Sequence, residues 1–216
     1  MTLEAGNYYI EHLSDDVNSY ELKKFRTQHG EIQLTKYLVK IAKKHENSML
    51  NKTYFVRDKK NRNLVAWFSL KNATLPYNDK ENSFLIPAVE LTHFAVDERY
   101  RKIGLQDSLA VKTGEFIFWN LILSIVKDAA DKVACKDLFV FSINTPKLID
   151  YYTNRLGFKE IENLDDKLFF EYAVPDYDDA CKFRSSGVAI ERLIIRLSPA
   201  IFVTGVSSSF TQSGHP

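Results

Sequence analysis

VELTHFAVDERYR, Val89 to Arg101, is a strand that ends in a burst of charge. Strict alternation puts Glu90, Thr92, Phe94 and Val96 on one face and Leu91, His93 and Ala95 on the other. With β-branched and aromatic residues enriched, this half of the segment predicts a half-to-fully buried strand. The apolar signal then stops. Asp97, Glu98, Arg99, Arg101 and Lys102 form a charged loop, Gly104 and Gly114 punctuate the next stretch, and an apolar helix runs from Phe116 to about Ala134. A strand feeding a cationic, glycine-bearing loop and then a helix is an arrangement that offers backbone N–H groups to a phosphate.

Two registers are open for that loop. If the helix begins at Gly104, Arg101 and Lys102 flank the turn, but the helix reaches about thirty residues, well above the usual length near 11–12. If it begins at Gly114, with Lys112 beside it, residues 97–113 become an enlarged loop, or a loop with its own short helix, and the helix runs about twenty residues, Glu115 to Ala134. In either register both glycines also have a plain use as helix caps or breakers.

Before this centre, Tyr8 to Leu13 predicts a short strand, and Ser14-Asp15-Asp16 supplies a helix start. Val17, Tyr20 and Phe25 share a face of that helix, which ends near Gly30. A second helix is predicted from Glu31 to about Glu46, with Leu34, Tyr37, Leu38 and Ile41 on its apolar side. Lys36, Lys40, Lys43 and Lys44 make its other face basic, as a solvated surface or a contact for an acidic substrate. Lys52 to Arg57 and Leu64 to Leu70 read as a hairpin across the turn DKKNRN. Residues 72–83, polar and carrying Pro76, read as an exposed loop placed to form a substrate lip.

After the centre, Asp137 to Ile143 is a nearly continuous apolar strand suited to a central position. Thr145 and Pro146 open a short helix that carries Tyr151 and Tyr152 and stops at Gly157. The order of elements gives an α/β (α+β) chain. Residues 1–175 form the domain. Residues 176–216 form an extension in which VAIERLIIRL is a strand or short helix and SSSFTQSGHP a tail.

The chain has 216 residues, 45% hydrophobic and 26% charged, with a formal net charge of +1. That is ordinary globular composition, with no global field to recruit nucleic acid or an anionic membrane. Cys135 and Cys181 lack metal-ligand or redox spacing, and no repeated His/Glu set is present, so no metal is expected. The amino terminus carries no signal-peptide pattern, and the apolar run at residues 116–126 is too short to span a bilayer, which takes about 20 residues. A cytoplasmic protein is expected.

The order of elements, together with AVDERYRKIGL, DLFVFSIN and YYTNRLGF, resembles the acetyl-CoA-dependent N-acetyltransferases of the GNAT superfamily over residues 8–174. The resemblance implies a mixed, mostly antiparallel central sheet flanked by helices, whose two central strands splay to admit acetyl-CoA. It implies transfer of the acetyl group to a primary amine by direct attack in a ternary complex. Backbone groups of Phe94, Ala95 and Val96 would pair with pantetheine, Asn144 would stand near the splay, and Arg101, Lys102 and Gly104, or Lys112 and Gly114, would hold the pyrophosphate. Glu90 becomes the candidate base, against the plain reading of a carboxylate paired with a lysine. His93, on the opposite face, reads as a packed core histidine. For the acid, Tyr152 is placed ahead of Tyr151. The family's Tyr-x-x-x-Gly-Phe spacing is longer here, so this helix carries an extra residue. Some of the layout is similar to the toxin subset that acetylates aminoacyl-tRNA. A tRNA partner, a homodimer and a non-catalytic acyl-CoA-binding scaffold therefore stand as further expectations. YYTNRLGF also looks like a signature of metal-dependent glyoxalase folds, but the ligand set they need is missing.

Overall fold

The computed structural model describes residues 3–13, 19–27, 32–79, 82–101, 111–143, 145–160 and 190–196. Its centre is an eight-stranded sheet. The strands are β1 (Glu4–Ala5), β2 (Tyr8–His12), β3 (Lys52–Asp58), β4 (Leu64–Asp79), β5 (Asn82–Val96), β6 (Asp137–Ile143), β7 (Lys159–Glu160) and β8 (Ile190–Arg196). They lie in the order β1-β2-β3-β4-β5-β6-β8-β7, antiparallel throughout except for the β5–β6 pair. Strand β8 comes from the region expected as an extension, at VAIERLIIRL, and pairs with β6 along its whole length.

Helices cover both faces. On one face lie α1 (Ser19–Lys24), α2 (Ile32–Lys40) and α3 (Ala42–Asn47). Leu22, Phe25, Tyr37, Leu38 and Ala42 pack there against Phe55, Leu64, Trp67 and Ala95. On the other lies one long helix, α4 (Thr113–Ile117), which passes through a π-helical turn (Phe118–Ile122) into α5 (Leu123–Val133). Its Ile117, Phe118, Leu121, Ile122 and Val126 pack on Ala66, Phe68, Leu70, Leu91 and Val96. Burying side chains of this size contributes about 1.5–3 kcal/mol each, which makes the two seams the main source of stability.

Four expectations change. The segment read as a loop at residues 72–83 is the far end of a β-arm, with β4 and β5 paired from Ala73↔Ala88 out to Asp79↔Asn82. Ala73, Leu75, Tyr77, Ile86 and Ala88 cluster with Phe139, so the apolar alternation was present but diluted by Asn72, Pro76, Asn78 and Asp79. Pro76 is tolerated because β3 pairs with β4 only as far as Leu70, which leaves that stretch of β4 an edge. The second helix is broken in two at Ile41, whose φ of −120° leaves helical geometry and whose side chain is exposed. Tyr20 is also exposed; Leu22 and Phe25 take the core positions. Finally, alternation along β5 is not strict, with consequences for the site.

Candidate active site

Strands β5 and β6 pair over three rungs only: Ala88↔Asp137, Val89↔Leu138 and Glu90↔Phe139. Beyond Glu90 they part. β5 stays with β4 as far as Val96, and β6 stays with β8 as far as Ile143, so residues 91–96 have no β6 partner. A bulge sits at the start of the divergence: Leu70 faces Leu91 and Ser69 faces His93, which leaves Thr92 as an extra residue in β5. An extra residue bends a strand and increases its twist, which is what a fork requires. The Thr92 hydroxyl donates to the Ser69 carbonyl at 3.1 Å and fixes the bulge.

The bulge also reverses the alternation. Glu90 faces Lys71 and His93 faces Ser69, two positions on the same side of β4, so Glu90 and His93 share a face instead of opposing each other. Glu90 is buried, and its Oε2 lies 3.1 Å from Lys71 Nζ. The expected lysine partner is thus real, and it belongs to the strand stretch that the sequence hid. Burial pushes the Glu90 carboxyl above its ordinary range, opposed by the Lys71 charge. His93 stacks on Tyr37 with ring centres 3.7 Å apart, and its Nδ1 lies 3.0 Å from the Thr92 hydroxyl. Burial, with the nearby His45 and Lys71, pulls its imidazole down to about 3, so it is neutral. It is a packed histidine, as expected, on the face not expected.

At the carboxyl end of β5 a second group assembles. Helix α6 (Pro146–Asp150) continues into a π-helical turn, Tyr151–Arg155, closed by Leu156 N–H donating to the Tyr151 carbonyl at 3.1 Å. The extra residue counted in the sequence is absorbed in that turn. A methyl group on Gly114 would stand 2.6 Å from the Tyr151 hydroxyl and 3.5 Å from Val96 Cγ2, so the absence of a side chain at Gly114 is what lets Tyr151 in. Burial, then Tyr152 and Glu115, push the Tyr151 phenol well up, with Arg101 opposing. Tyr152 instead packs edge-on to Phe158 at 5.6 Å. Arg101 Nε donates to the Val96 carbonyl at 3.0 Å, which folds the loop back over the strand end. The loop is anchored where it leaves β5. The Asp97 carboxylate accepts from Arg26 N–H at 3.1 Å and from Arg99 Nε at 2.7 Å, and although burial opposes it, these bonds hold the carboxyl below its usual range.

The long helix starts at Thr113, so Gly114 lies in its first turn and Lys112, exposed, immediately precedes it. Phe94, Ala95 and Val96 lie on the length of β5 that pairs with β4 but has no β6 partner. Lys102, Gly104 and Asn144 lie outside the described residues. The described residues contain no cluster of side chains that would hold a metal and no helix long and apolar enough to cross a membrane. Two neighbours escaped the sequence reading. Lys71 was lost when β4 was ended at Leu70. Glu115 is a buried carboxylate with Oε1 unpaired, and its signal was the one acid at the head of an apolar helix.

No protein-family model and no curated protein matches this chain by sequence. Solved structures do match by shape. A tyrosine-to-phenylalanine mutant of the AtaT toxin, bound to the carboxyl terminus of the antitoxin AtaR and acetyl-CoA, aligns with a TM-score of 0.59 at 18% identity, covering 88% of this chain and 94% of that one. A tyrosine-to-phenylalanine mutant of KacT aligns at 0.56 and 22% identity, over 74% of this chain and 93% of that one. AtaT complexed with acetyl-methionyl-tRNAfMet aligns at 0.53 and 21% identity, over 82% and 99%. The forked sheet, its bulge and the helices on either side are the GNAT fold, and this chain has it.

Proposed function

We propose that this chain is an acetyl-CoA-dependent N-acetyltransferase that moves the acetyl group to a primary amine by direct attack. The observation that carries the reading is the fork opening at Glu90, with the Tyr151 hydroxyl lodged at Gly114 beside the same strand's end. The unpaired edge of β5 at residues 91–96 fits the amide-bearing pantetheine arm, which needs main-chain partners. Gly114 at the head of the long helix, with Arg101 and Lys112 nearby, fits the diphosphate. Acetyl-CoA supplies an activated thioester, and the chain's own groups handle the protons. Glu90, whose proton affinity burial raises, takes one from the amine directly or through a water. Tyr151 keeps its proton at neutral pH; to give it to the departing thiolate its hydroxyl has to leave Gly114, at the Val96 end of β5 and six residues from Glu90, as acetyl-CoA enters. We assign the acid to Tyr151 because its hydroxyl faces the strand end, whereas Tyr152 serves packing.

The acceptor has a specific lead. The AtaT structure with acetyl-methionyl-tRNAfMet favours an aminoacyl-tRNA for a chain of this fold, despite a net charge of only +1. A local basic surface suffices for such contacts, and Lys36, Lys40 and Lys44 lie exposed on α2 and α3. The test is calorimetric titration with acetyl-CoA, then a panel of amines and aminoacyl-tRNAs followed by thiol release. Binding with turnover supports the enzyme, and binding without turnover on any acceptor leaves an acyl-CoA-binding scaffold. A salt-dependent electrophoretic shift with tRNA separates the acceptor classes.

A further inference from the structure

The acetyl-transferring reading rests on a base at the fork, and an amine of this chain already sits against that base. Lys71 and Glu90 are opposite each other in the β4–β5 ladder, with Nζ and Oε2 3.1 Å apart. The Glu90↔Phe139 rung is the last before β5 and β6 diverge, so this pair stands where the thioester would enter. The pair is also sheltered. The two side chains are 17% and 9% exposed, against 41% for Lys52, 40% for Lys59 and 69% for Lys132 in their own ion pairs.

We propose that Lys71 is a self-acetylation site, taking the acetyl group of bound acetyl-CoA within its own chain. The proposal rests on the transferase reading above. In a poorly solvated pair both charges are costly, and passing one proton from Lys71 to Glu90 removes both at once. That leaves a neutral amine, the form that attacks a thioester. The Lys71 nitrogen then bonds to the acetyl carbon as the carbon–sulfur bond breaks. Of the two protons the ammonium gives up, the first is already on Glu90, and the second, released as the amide forms, passes to the departing thiolate. The product is an amide without charge, so each event leaves Glu90 without its cationic partner.

The experiment uses the full chain with acetyl-CoA and no added amine, read by intact mass, peptide mapping and thiol release. The expected result is one acetyl group per chain, on Lys71, ahead of the exposed Lys132 and at a rate per chain independent of protein concentration. Lys71→Arg keeps a cation opposite Glu90 but cannot release its proton, so it should bind acetyl-CoA in calorimetry and lose the rapid phase. Labelling confined to exposed lysines while acetyl-CoA binds would overturn the proposal alone. Labelling of Lys71 no faster than in the heat-unfolded chain would do the same. A chain that does not bind acetyl-CoA would overturn both this and the transferase reading.

Discussion

The hydroxyl of Tyr151 occupies the space that a side chain on Gly114 would fill, at 2.6 Å from the position of its β-carbon. Gly114 therefore has a steric duty apart from any contact with phosphate. Gly114→Ala should leave stability within about 1 kcal/mol of the parent, because alanine favours the helix and the clash falls on the far end of one side chain. Turnover should nonetheless fall by roughly a hundredfold as the ring is displaced. Thermal unfolding and kcat on the same preparation check this. Unchanged kcat would separate Gly114 from the acid.

The two adjacent tyrosines should behave differently. Tyr151→Phe should cut kcat by about 10²–10⁴ while acetyl-CoA affinity persists, the range expected for removing a general acid. Tyr152→Phe should change kcat little, since its ring packs on Phe158 in either form. The opposite ranking would move the acid to Tyr152.

For Glu90, burial raises the carboxyl above its ordinary 4.5. The acidic limb of kcat/KM against pH should therefore fall at a higher pH than an exposed carboxylate would give, because the base must be ionised to act. Glu90→Gln should flatten that limb and lower kcat by about 10²-fold or more. A limb that survives the substitution would belong to another group.

His93 gives a stability prediction of the other sign. Its folded imidazole titrates at about 3, below the ordinary 6.5, so the unfolded chain binds a proton that the native chain refuses. That contribution is complete above 6.5 and is lost as pH falls toward 3. His93→Phe, which preserves a ring against Tyr37, should lose stability less steeply on acidification, by up to about 1.4 kcal/mol per pH unit. Denaturant unfolding at neutral and mildly acidic pH measures the difference; parallel slopes would show His93 to be solvated.

The sequence revealed elements with one consistent period and hid those in which the period changes. The apolar run at Asp137 to Ile143 and the alternation from Val89 to Leu91 were both legible, and they locate the fork's two arms. Thr92 was not, because one surplus residue in a strand leaves composition intact and only swaps faces downstream; it misplaced His93 relative to Glu90. Lys71 was lost for a related reason, since asparagine and proline masked the strand that continues from it. The spacing between Tyr151 and Gly157 did announce a surplus residue. Which tyrosine it would turn toward β5 depended on the form of the turn, and spacing does not encode that.

The two wide helical turns also touch. Trp119, in the turn Phe118–Ile122, donates its indole N–H to the Arg155 carbonyl at the end of the turn Tyr151–Arg155, at 3.3 Å, while Phe118 and Phe158 meet at 5.5 Å. One added residue rotates everything beyond it on a helix by about 100°. Shortening either turn by a residue would swing its aromatic groups off the mating surface, so single deletions should be tolerated far less well than a matched pair. The two wide turns form one joint, and a change of length in one has to be matched in the other.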